Sequence, residues 1–485
     1  MRDLKSPTAG GRVYHVFAQQ PEHHPVLSPR MFREDSKIFK QQQQQQCKHQ
    51  QRRHHNRVLK LGSFMSITLF LAYVVASQAF TRERVALELT VLPQQLTLQR
   101  LREFGERLGR RYPGATHMGT DWGKSSFLPT DWDKVRLACT PNAVATSLEG
   151  RRPKVVLVTG SAGFVGMHTA MELRRRGDGV LGIDNFNDYY PVSLKRARQM
   201  HAEAGGVYTV DGDINDLDLL TKLFDTCQFT HIVHMAAQAG VRYATKNPYS
   251  YVHANLGGQV ALFEIAKDQQ VPPAVVYASS SSVYGLNTKQ PFSEDDRVDS
   301  PASLYAATKR ADELIAHSYH NIYSLSMTAL RFFTVYGPWG RPDMAVYKFA
   351  GPNQSELSRD FTFIDDVVRG VVGAVDSSPA SIKGEAQYRI FNLGNTHPHT
   401  VTELVSLLEG CLGKLAIKKY IPLPPTGDVL TTFANITRAQ QVLGYQPEVS
   451  LDEGVRRFST WFKQYYGTAL DAGAPVPEDW GYKPL

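Results

Sequence analysis

The sequence predicts an α/β fold in which an open, doubly wound parallel sheet is covered by helices on both faces. Two observations lead to this prediction. From Lys154 onward, short apolar stretches alternate with longer segments of helical periodicity, a pattern typical of parallel strands buried on both faces. In the first of these units, three glycines spaced three residues apart follow the apolar stretch directly. The predicted strands are 155–158, 180–183, 207–210, 231–234, 274–278, 327–331 and 389–392.

The three glycines stand between the first predicted strand and a predicted helix over residues 168–176. In such a unit the first glycine permits a tight turn, the second lets a pyrophosphate approach the backbone, and the third lets the helix pack on the strand. The helix N-terminus then faces the phosphates with N–H groups and a partial positive charge. The unit is therefore of the Rossmann type. Its predicted phosphate-binding turn consists of Gly160, Gly163, Phe164, Val165 and Gly166.

Asp184 ends the second predicted strand. An acidic residue at this position binds the ribose hydroxyls of the adenosine and favours NAD over NADP. Ligands of such sheets bind beyond the carboxyl ends of the strands, so residues that follow the second, third and fourth strands complete the predicted NAD site. These residues are Asn185, Asp213, Ile214, Ala236, Ala237 and Gln238.

The excess of positive charge lies in residues 1–60, which hold twelve Lys or Arg and four Asp or Glu. Since the whole chain has a net charge of +8, the rest is balanced and gives no reason to expect nucleic-acid binding. The basic tail also contains six consecutive glutamines from Gln41. Its composition cannot bury enough apolar surface to offset chain entropy, and we expect it to be disordered and cytosolic.

Residues 61–81 carry no charge and have an apolar centre. About 20 such residues suffice to cross a bilayer as a helix, and the segment begins too far along the chain for an ordinary cleaved signal peptide. Because the basic residues before it should stay in the cytosol, we predict a single-pass type II transmembrane anchor; a buried core helix is the alternative. The other predicted ranges are a luminal stem over 82–152, a folded domain over 153–470 and a C-terminal tail over 471–485.

The four cysteines, Cys47, Cys139, Cys227 and Cys411, lie far apart in the sequence. No pair has the spacing of metal ligands, and four scattered residues do not make a disulfide framework. We therefore expect packing or incidental thiols, and no metal site.

A serine-rich stretch, Ser279–Ser282, follows the fifth predicted strand, and Tyr305 and Lys309 lie further along the chain. Tyrosine and lysine four residues apart share one helix face. A lysine ammonium beside a phenol favours the phenolate, and such a tyrosine can act as a general base on an alcohol. A solvated helix face is the usual explanation of a lone Tyr-x-x-x-Lys, but it is a poor one downstream of a dinucleotide-binding unit and a serine-rich strand end.

These motifs resemble the extended short-chain dehydrogenase/reductases. Within that group, the chain is most similar to the plant-type UDP-glucuronate 4-epimerases, part of the NAD-dependent epimerase/dehydratase family. The similarity extends from Trp132 to Tyr466. The matching stretches are Arg176–Tyr190, His234–Tyr243, Ala278–Thr288 and Arg331–Ala345.

The resemblance implies a reversible conversion of UDP-glucuronate to UDP-galacturonate with bound NAD, supplying pectin-type polysaccharide synthesis. Tyr305 would take the proton of the sugar 4-hydroxyl while the C4 hydride passes to NAD, and the 4-keto sugar would turn over and regain the hydride on its other face. Lys309 and Ser280, which matches the family's bridging Ser or Thr, complete the catalytic set. The resemblance also implies a homodimer in the Golgi membrane, with an NAD part mainly over 153–330 and a smaller C-terminal UDP-sugar part mainly over 331–470.

The same resemblance distinguishes neighbouring activities. Decarboxylases of the family carry a glutamate two residues before the tyrosine that Tyr284 matches, and its 4,6-dehydratases carry an Asp-Glu pair there. This chain has Ser281 and Ser282 at those places. Without an acid/base carboxylate elimination is disfavoured, and the two hydroxyls can hold the C6 carboxylate of the sugar.

Three further residues match substrate contacts of the family. Thr334 and Arg341 match positions that hold the C6 carboxylate, and Arg359 matches a contact to the UDP phosphates. Arginine suits both tasks because its planar guanidinium forms charge-assisted, bidentate hydrogen bonds.

One segment departs from the family. Only residues 346–350 separate Ala345 from Gly351, where family members carry a longer stretch that lines the nucleotide pocket. The departure keeps two alternatives open: a catalytically impaired, membrane-anchored homologue that acts as a partner or scaffold, and an epimerase that acts on another UDP-sugar. Retention of Ser280, Tyr305 and Lys309 favours an enzyme.

Overall fold

The computed structural model describes residues 127–142, 152–342, 344, 357–416 and 431–471. The predicted cytosolic tail, the apolar segment 61–81 and the short segment 346–350 lie outside these described residues. Among the helices of the described part, none is long and apolar enough to cross a membrane.

Strands and helices alternate through most of the described part. The strands are β1 Val155–Thr159, β2 Gly179–Asp184, β3 Tyr208–Asp211, β4 His231–His234, β5 Ala274–Ser280, β6 Met327–Phe332, β7 Thr334–Tyr336, β8 Ser358–Phe363, β9 Tyr388–Leu393, β10 Pro398–Thr400 and β11 Thr431–Thr432. The helices are α1 Trp132–Ala138, α2 Phe164–Arg175, α3 Val192–Ala204, α4 Leu217–Thr226, α5 Pro248–Tyr251, α6 Gly258–Lys267, α7 Leu304–Tyr323, α8 Ile364–Asp376, α9 Val401–Leu412, α10 Thr437–Leu443 and α11 Leu451–Asp471.

Seven of the described strands form one parallel sheet in the order β3-β2-β1-β4-β5-β6-β9. The order reverses between β1 and β4, which is the switch point of a Rossmann-type sheet, where ligands bind beyond the carboxyl ends of the strands. Every predicted strand overlaps an observed one, so the predicted α/β fold with a doubly wound parallel sheet is confirmed.

The sheet separates two apolar cores. Along β1, Val156 and Val158 belong to one core and Leu157 belongs to the other, and all three side chains are fully buried. Successive side chains of a strand point to opposite faces, so a strand between two helical layers needs apolar residues at consecutive positions. The unbroken apolar sequence of β1 meets that requirement.

The helix after the glycine turn begins at Phe164, four residues earlier than the prediction of 168–176. Gly163 has an extended backbone and acts as the N-cap of α2, and Phe164 and Met167 are buried in the core at the start of the helix. The sequence prediction relied on the alternation of polar and apolar residues, which is regular only from His168 onward.

A second, smaller sheet is built around β8 in the UDP-sugar part. The first half of β8 pairs with β10 in antiparallel and with β11 in parallel orientation, and its second half pairs in parallel with β7. The strand ends of this sheet carry two of the predicted substrate residues, Thr334 on β7 and Arg359 on β8. The partner strands are far apart in the sequence, which explains why no local pattern predicted them.

A disulfide between Cys139 and Cys227 corrects the prediction that the cysteines are packing or incidental thiols. It joins the residue after α1 to the residue after α4, across 88 positions of sequence. Spacing alone carries no information about such a pairing. Cys411 is a free, half-buried thiol, and Cys47 lies outside the described residues.

Helix α1 packs on the folded domain although it lies within the range predicted as a stem. Asp131 caps its N-terminus by accepting hydrogen bonds from the N–H groups of Asp133 and Lys134. Val135 and Ala138 are buried in the same core as β2 and β3. The disulfide therefore fixes a helix that precedes the sheet in sequence and covers its edge in space.

Candidate active site

The glycine turn that follows β1 has no room for side chains. Gly160 has a φ of +68°, and a Cβ added there would lie 2.7 Å from the backbone nitrogen of Ala236. A Cβ on Gly166 would lie 2.1 Å from the carbonyl oxygen of Gly160, so the glycine lets α2 pack against the turn. Gly163 is the N-cap of α2, and no side chain caps that helix. This close backbone with a helix N-terminus fits the pyrophosphate of a dinucleotide.

Asp184 lies beside the same turn, at the end of β2. One carboxylate oxygen accepts a hydrogen bond from the N–H of Ala162 at 3.1 Å, and the other accepts from the N–H of Phe186 at 2.8 Å. These bonds fix the carboxylate in the position where an acid binds the adenosine ribose. The residue is buried, with 7% of its surface exposed.

Asp213 and Asn185 form the next wall of the site. The side-chain amide of Asn185 donates a hydrogen bond to Oδ2 of Asp213 at 2.9 Å. The backbone N–H and the side-chain amide of Asn215 both donate to Oδ1 of the same carboxylate. Burial opposes the charge of Asp213, but the nearby His253, whose Nε2 lies 3.8 Å from Oδ2, and the hydrogen bonds from Asn185 and Asn215 outweigh it and lower the pKa of the carboxyl. Asp213 is therefore an anion held rigidly beside the strand ends.

The residues after β4 are linked by hydrogen bonds to α7, the helix that carries Tyr305 and Lys309. The N–H of Ala236 donates to the hydroxyl of Thr159, and Gln238 exchanges hydrogen bonds with the side chain of Asn255. The amide of Asn255 also donates to the hydroxyl of Thr308 at 2.9 Å. Asn255, which the sequence prediction missed, thus links the NAD site to α7. Ala237 is half-buried beside these residues, and Ile214 is buried below them.

Ser280 ends β5 and starts the serine turn. Its hydroxyl oxygen accepts hydrogen bonds from the N–H of Ser282 at 3.2 Å and from the hydroxyl of Ser282 at 2.9 Å. Because both of these bonds are accepted, the hydroxyl proton of Ser280 is directed elsewhere. Ser281 and Ser282 are both half-buried in the short helical turn that follows.

Tyr305 and Lys309 lie one turn apart near the start of α7, and Ser303 caps that helix. The ammonium of Lys309 donates to the carbonyl of Ala278 at 3.0 Å and to the carboxylate of Asp312 at 3.0 Å. Burial opposes its charge, but Asp312 and Tyr305 raise the pKa of Lys309 overall. The ring of Tyr305 packs edge-to-face against Tyr251, with centroids 6.1 Å apart. The lysine is thus charged, fixed to β5 and adjacent to the tyrosine on one helix face.

A buried ion pair is hydrogen-bonded to the end of β5. Arg331 on β6 donates to both carboxylate oxygens of Glu313 at 2.8 and 2.9 Å, and Ser279 donates to the same carboxylate at 2.7 Å. Arg331 also donates to the hydroxyl of Tyr284. The network holds the strand on both sides of Ser280. Neither Glu313 nor Arg331 was predicted, because a helical Glu and a strand Arg give no local sign of burial.

The predicted substrate residues lie on the other side of the strand ends. Thr334 begins β7, which pairs with β8 opposite Phe361. Arg359 lies on β8 opposite His399, and its guanidinium donates to the carbonyl of Ser358. The guanidinium of Arg341 lies 5.9 Å from the centre of the Tyr189 ring. All three predicted residues are half-buried.

The fold and the site together define a class, that of the Rossmann-type short-chain dehydrogenase/reductase enzymes with a Ser, Tyr and Lys group. The family model described as GDP-mannose 4,6 dehydratase matches residues 157–458. UDP-glucuronate 4-epimerase 3 of Arabidopsis thaliana is 56% identical over 346 residues, which cover 67% of this chain and 80% of that relative. The chain belongs to the family of UDP-glucuronate 4-epimerases.

Solved structures agree with this assignment. A UDP-glucuronic acid 4-epimerase from Bacillus cereus, in complex with UDP-glucuronic acid and NAD, has a TM-score of 0.58 at 33% identity, covering 64% of this chain and 99% of that one. A UDP-glucose 4-epimerase from Thermotoga maritima, with UDP-glucose, has a TM-score of 0.56 at 27% identity over the same shares. The resemblance stated from the sequence is confirmed.

Proposed function

We propose that the protein interconverts UDP-glucuronate and UDP-galacturonate by epimerisation at C4. One observation carries the proposal. Lys309, one turn from Tyr305, donates to the carbonyl two residues before Ser280, and the two positions after Ser280 hold hydroxyls. Relatives that are 56% and 33% identical to this chain are named UDP-glucuronate 4-epimerases.

Tyr305 moves the proton in this proposal. It takes the proton of the sugar 4-hydroxyl and returns it to the same oxygen after the sugar has turned over. The Lys309 ammonium favours the phenolate form of Tyr305. Since the hydroxyl of Ser280 already accepts two hydrogen bonds, its own proton is available to a substrate oxygen, and it bridges the sugar and the tyrosine.

The cofactor that fits the site is NAD. The three glycines of the turn would hold its pyrophosphate. The carboxylates of Asp184 and Asp213 would hold its adenosine. When bound, NAD supplies a reversible hydride acceptor for the sugar carbon. Because the hydride returns in every turnover, the protein needs no outside redox partner.

The serine turn favours epimerisation over decarboxylation or dehydration. A 4-keto uronic acid is a β-keto acid and loses CO₂ readily, so an epimerase must keep the carboxylate still and supply no acid next to it. Ser281 and Ser282 offer neutral hydroxyls, and Thr334 and Arg341 would hold the carboxylate from the opposite side. Arg359 would bind the UDP phosphates by charge-assisted hydrogen bonds.

The test is to incubate the purified protein with UDP-glucuronate and to separate the nucleotide sugars. We expect UDP-galacturonate as the product, the reverse reaction from UDP-galacturonate, and no net formation of NADH. UDP-xylose or a 4-keto-6-deoxy sugar as the main product would contradict the proposal. Turnover of UDP-glucose but not of UDP-glucuronate would support an epimerase for another UDP-sugar, and binding without turnover would support a scaffold.

We further propose that the chain is a single-pass type II protein of the Golgi membrane with its folded domain in the lumen, where it supplies pectin-type polysaccharide synthesis. The uncharged segment 61–81 and the basic residues before it support this orientation. The disulfide between Cys139 and Cys227 also supports it, because disulfides persist in oxidising compartments. Protease added to intact vesicles should leave the folded domain uncut, and digestion of the domain would contradict the orientation.

A homodimer is the proposed assembly. Apolar side chains are exposed on α7 and on the helical stretch before α6, and they would be covered by a second copy of the chain. They are Tyr249, Val252, Leu304 and Leu314. Sedimentation of the purified protein should give twice the mass of the chain, and a change of Leu314 to Glu should shift it to the monomer.

A further inference from the structure

Asp312 is a buried carboxylate one helical turn beyond Lys309 on α7. Its Oδ2 lies 3.0 Å from the Lys309 ammonium, and the side chains of Lys309 and Asp312 are 3% and 1% exposed. Its position in the sequence gives no sign of a special role, since an Asp three residues after a Lys on a helix is usually part of an exposed ion pair. Arg136 and Asp133 on α1 form such an exposed pair, with side chains 63% and 95% exposed.

The carboxylate of Asp312 is incompletely satisfied. Its second oxygen, Oδ1, is buried and has no hydrogen-bond partner among the described residues. A buried ion pair with an unsatisfied oxygen contributes little to stability, because the cost of desolvation offsets the attraction. We therefore interpret the contact between Asp312 and Lys309 as one that positions the lysine rather than one that stabilises the packing of α7.

The other groups around the pair leave Asp312 as the counter-charge of Lys309. On the same helix, the neighbouring carboxylate of Glu313 is neutralised by Arg331 of β6. Helix α6 contributes the neutral amide of Gln259, which donates to the backbone carbonyl of Asp312. Two further titratable groups interact with the pair, His234 of β4 with Lys309 and Tyr277 of β5 with Asp312. Next to them, Tyr388 of β9 interacts with Tyr277 and Glu313, and Tyr251 of α5 packs against Tyr305.

His234, Tyr277 and Tyr388 are neutral near neutral pH. Burial lowers the pKa of His234 to about 3, with a further contribution from Lys309. Burial raises the pKa of Tyr277 and, to about 12, that of Tyr388. Burial also raises the pKa of Asp312 to about 6, against the opposing effect of Lys309. Asp312 is therefore ionised at neutral pH and takes up a proton as the pH falls through about 6.

We propose that Asp312 is a positioning residue that holds the Lys309 ammonium against β5 and partly offsets its charge, so that the pair, rather than the lysine alone, sets the pH at which Tyr305 becomes a base. A negative charge beside the ammonium makes the phenolate less favourable. Removing that charge lets Tyr305 lose its proton at lower pH. The inference rests on the proposed role of Tyr305 as the general base.

The test compares the pH dependence of kcat/KM for UDP-glucuronate in the holoenzyme and in Asp312→Asn. Asparagine keeps the size of the side chain and an oxygen that accepts a hydrogen bond from Lys309, but it removes the charge. We expect the acid limb of the profile to move to lower pH by about one unit. Asp268→Asn, which removes an exposed carboxylate at the end of α6, should leave the profile unchanged.

A second measurement does not depend on turnover. Tyrosinate has a characteristic ultraviolet absorption, and the difference between a protein and its Tyr305→Phe variant follows the ionisation of Tyr305 alone. This titration should shift to lower pH by the same amount in Asp312→Asn. If the protein proves to have no epimerase activity, the proposed function fails while this titration still tests the role of Asp312.

An Asp312→Asn protein that folds, retains NAD and shows an unchanged kcat/KM profile and an unchanged Tyr305 titration would overturn the inference. Asp312→Ser, which is smaller and leaves room for a water beside the ammonium, replaces the asparagine variant if the latter does not fold, with the same expected shift. Failure of both variants to fold would assign Asp312 a purely structural role and would equally overturn the inference.

Discussion

In the NAD part, the predicted site residues follow the ends of adjacent parallel strands, whereas Thr334 and Arg359 of the predicted UDP-sugar part lie on strands of three and six residues that pair across long stretches of sequence. The NAD part forms its site with backbone, through a glycine turn that leaves no room for a Cβ and a carboxylate held by two N–H groups. In the predicted UDP-sugar part, the candidate substrate contacts include the side chains of Arg341 and Arg359. The difference shows that the predicted cofactor site is set by local geometry, whereas the predicted substrate residues depend on how distant segments are brought together.

Among the substitutions that should affect turnover without affecting NAD binding, Tyr305→Phe is expected to have the largest effect. The phenol carries out the proton transfer but does not form the cofactor cradle, so kcat should fall by about 10²–10⁴ while bound NAD stays near one per chain. Turnover and NAD content of the purified variant give the two readings. Tyr323→Phe, at the exposed end of the same helix, is the control and should keep full activity; near-normal turnover of Tyr305→Phe would break the assignment.

Loss of the disulfide should weaken the NAD part in particular. The bond between Cys139 and Cys227 closes a loop of 88 positions that contains β1 to β3. Removal of a disulfide of this kind typically costs about 2–5 kcal/mol of unfolding free energy, mainly by freeing the unfolded chain. Urea unfolding of Cys139→Ser measures the cost, and Cys411→Ser, which changes a free thiol, should cost far less. Equal stability of the two variants would show that the bond does not form.

Arg359→Ala tests the UDP-sugar part alone. Hydrogen bonds to charged groups contribute about 1.5–3 kcal/mol, so KM for UDP-glucuronate should rise about 10- to 100-fold, with NAD content unchanged. Steady-state kinetics and cofactor extraction are the two measurements. Arg438→Ala removes an exposed arginine that pairs with Asp295, and its KM should not change. A loss of NAD in Arg359→Ala would show that the two parts are not separable.

The smallest change in stability is expected at Gly410, and it contrasts with the large loss expected from the same substitution at Gly160. Gly410 lies in α9, and a Cβ there meets nothing within 4 Å, so Gly410→Ala should raise the unfolding free energy by about 0.5–1 kcal/mol. The same change at Gly160 forces a Cβ onto the backbone at positive φ, and it should destabilise the protein and abolish NAD retention. Thermal unfolding of both variants decides. Equal shifts of the unfolding temperature in the two variants would contradict the conclusion that the glycine turn has no room for a side chain.

The sequence predicted the NAD part well because its signals are local. A continuous apolar stretch, a glycine turn and a following helix occupy adjacent positions, so one short window of sequence contains the whole unit. Asp184 could be placed because strand length fixes where the carboxyl end falls. The start of α2 was misplaced because Gly163 is its N-cap, and no side chain marks that residue as a cap.

What the sequence could not predict depends on contacts between distant segments. The disulfide joins two helix ends that no spacing rule connects, and β7, β10 and β11 have only two or three residues, which is too few to give a periodic signal. Asn255 and Asp312 look like ordinary helical polar residues until the packing of α7 shows that both are buried. The roles predicted for Thr334, Arg341 and Arg359 came from resemblance alone and stay predictions.

The covalent bond between Cys139 and Cys227 makes a closed ring of the chain that contains the glycine turn and Asp184. A cut in an exposed loop anywhere inside this ring would leave the two pieces joined, and they would separate on a gel only after reduction.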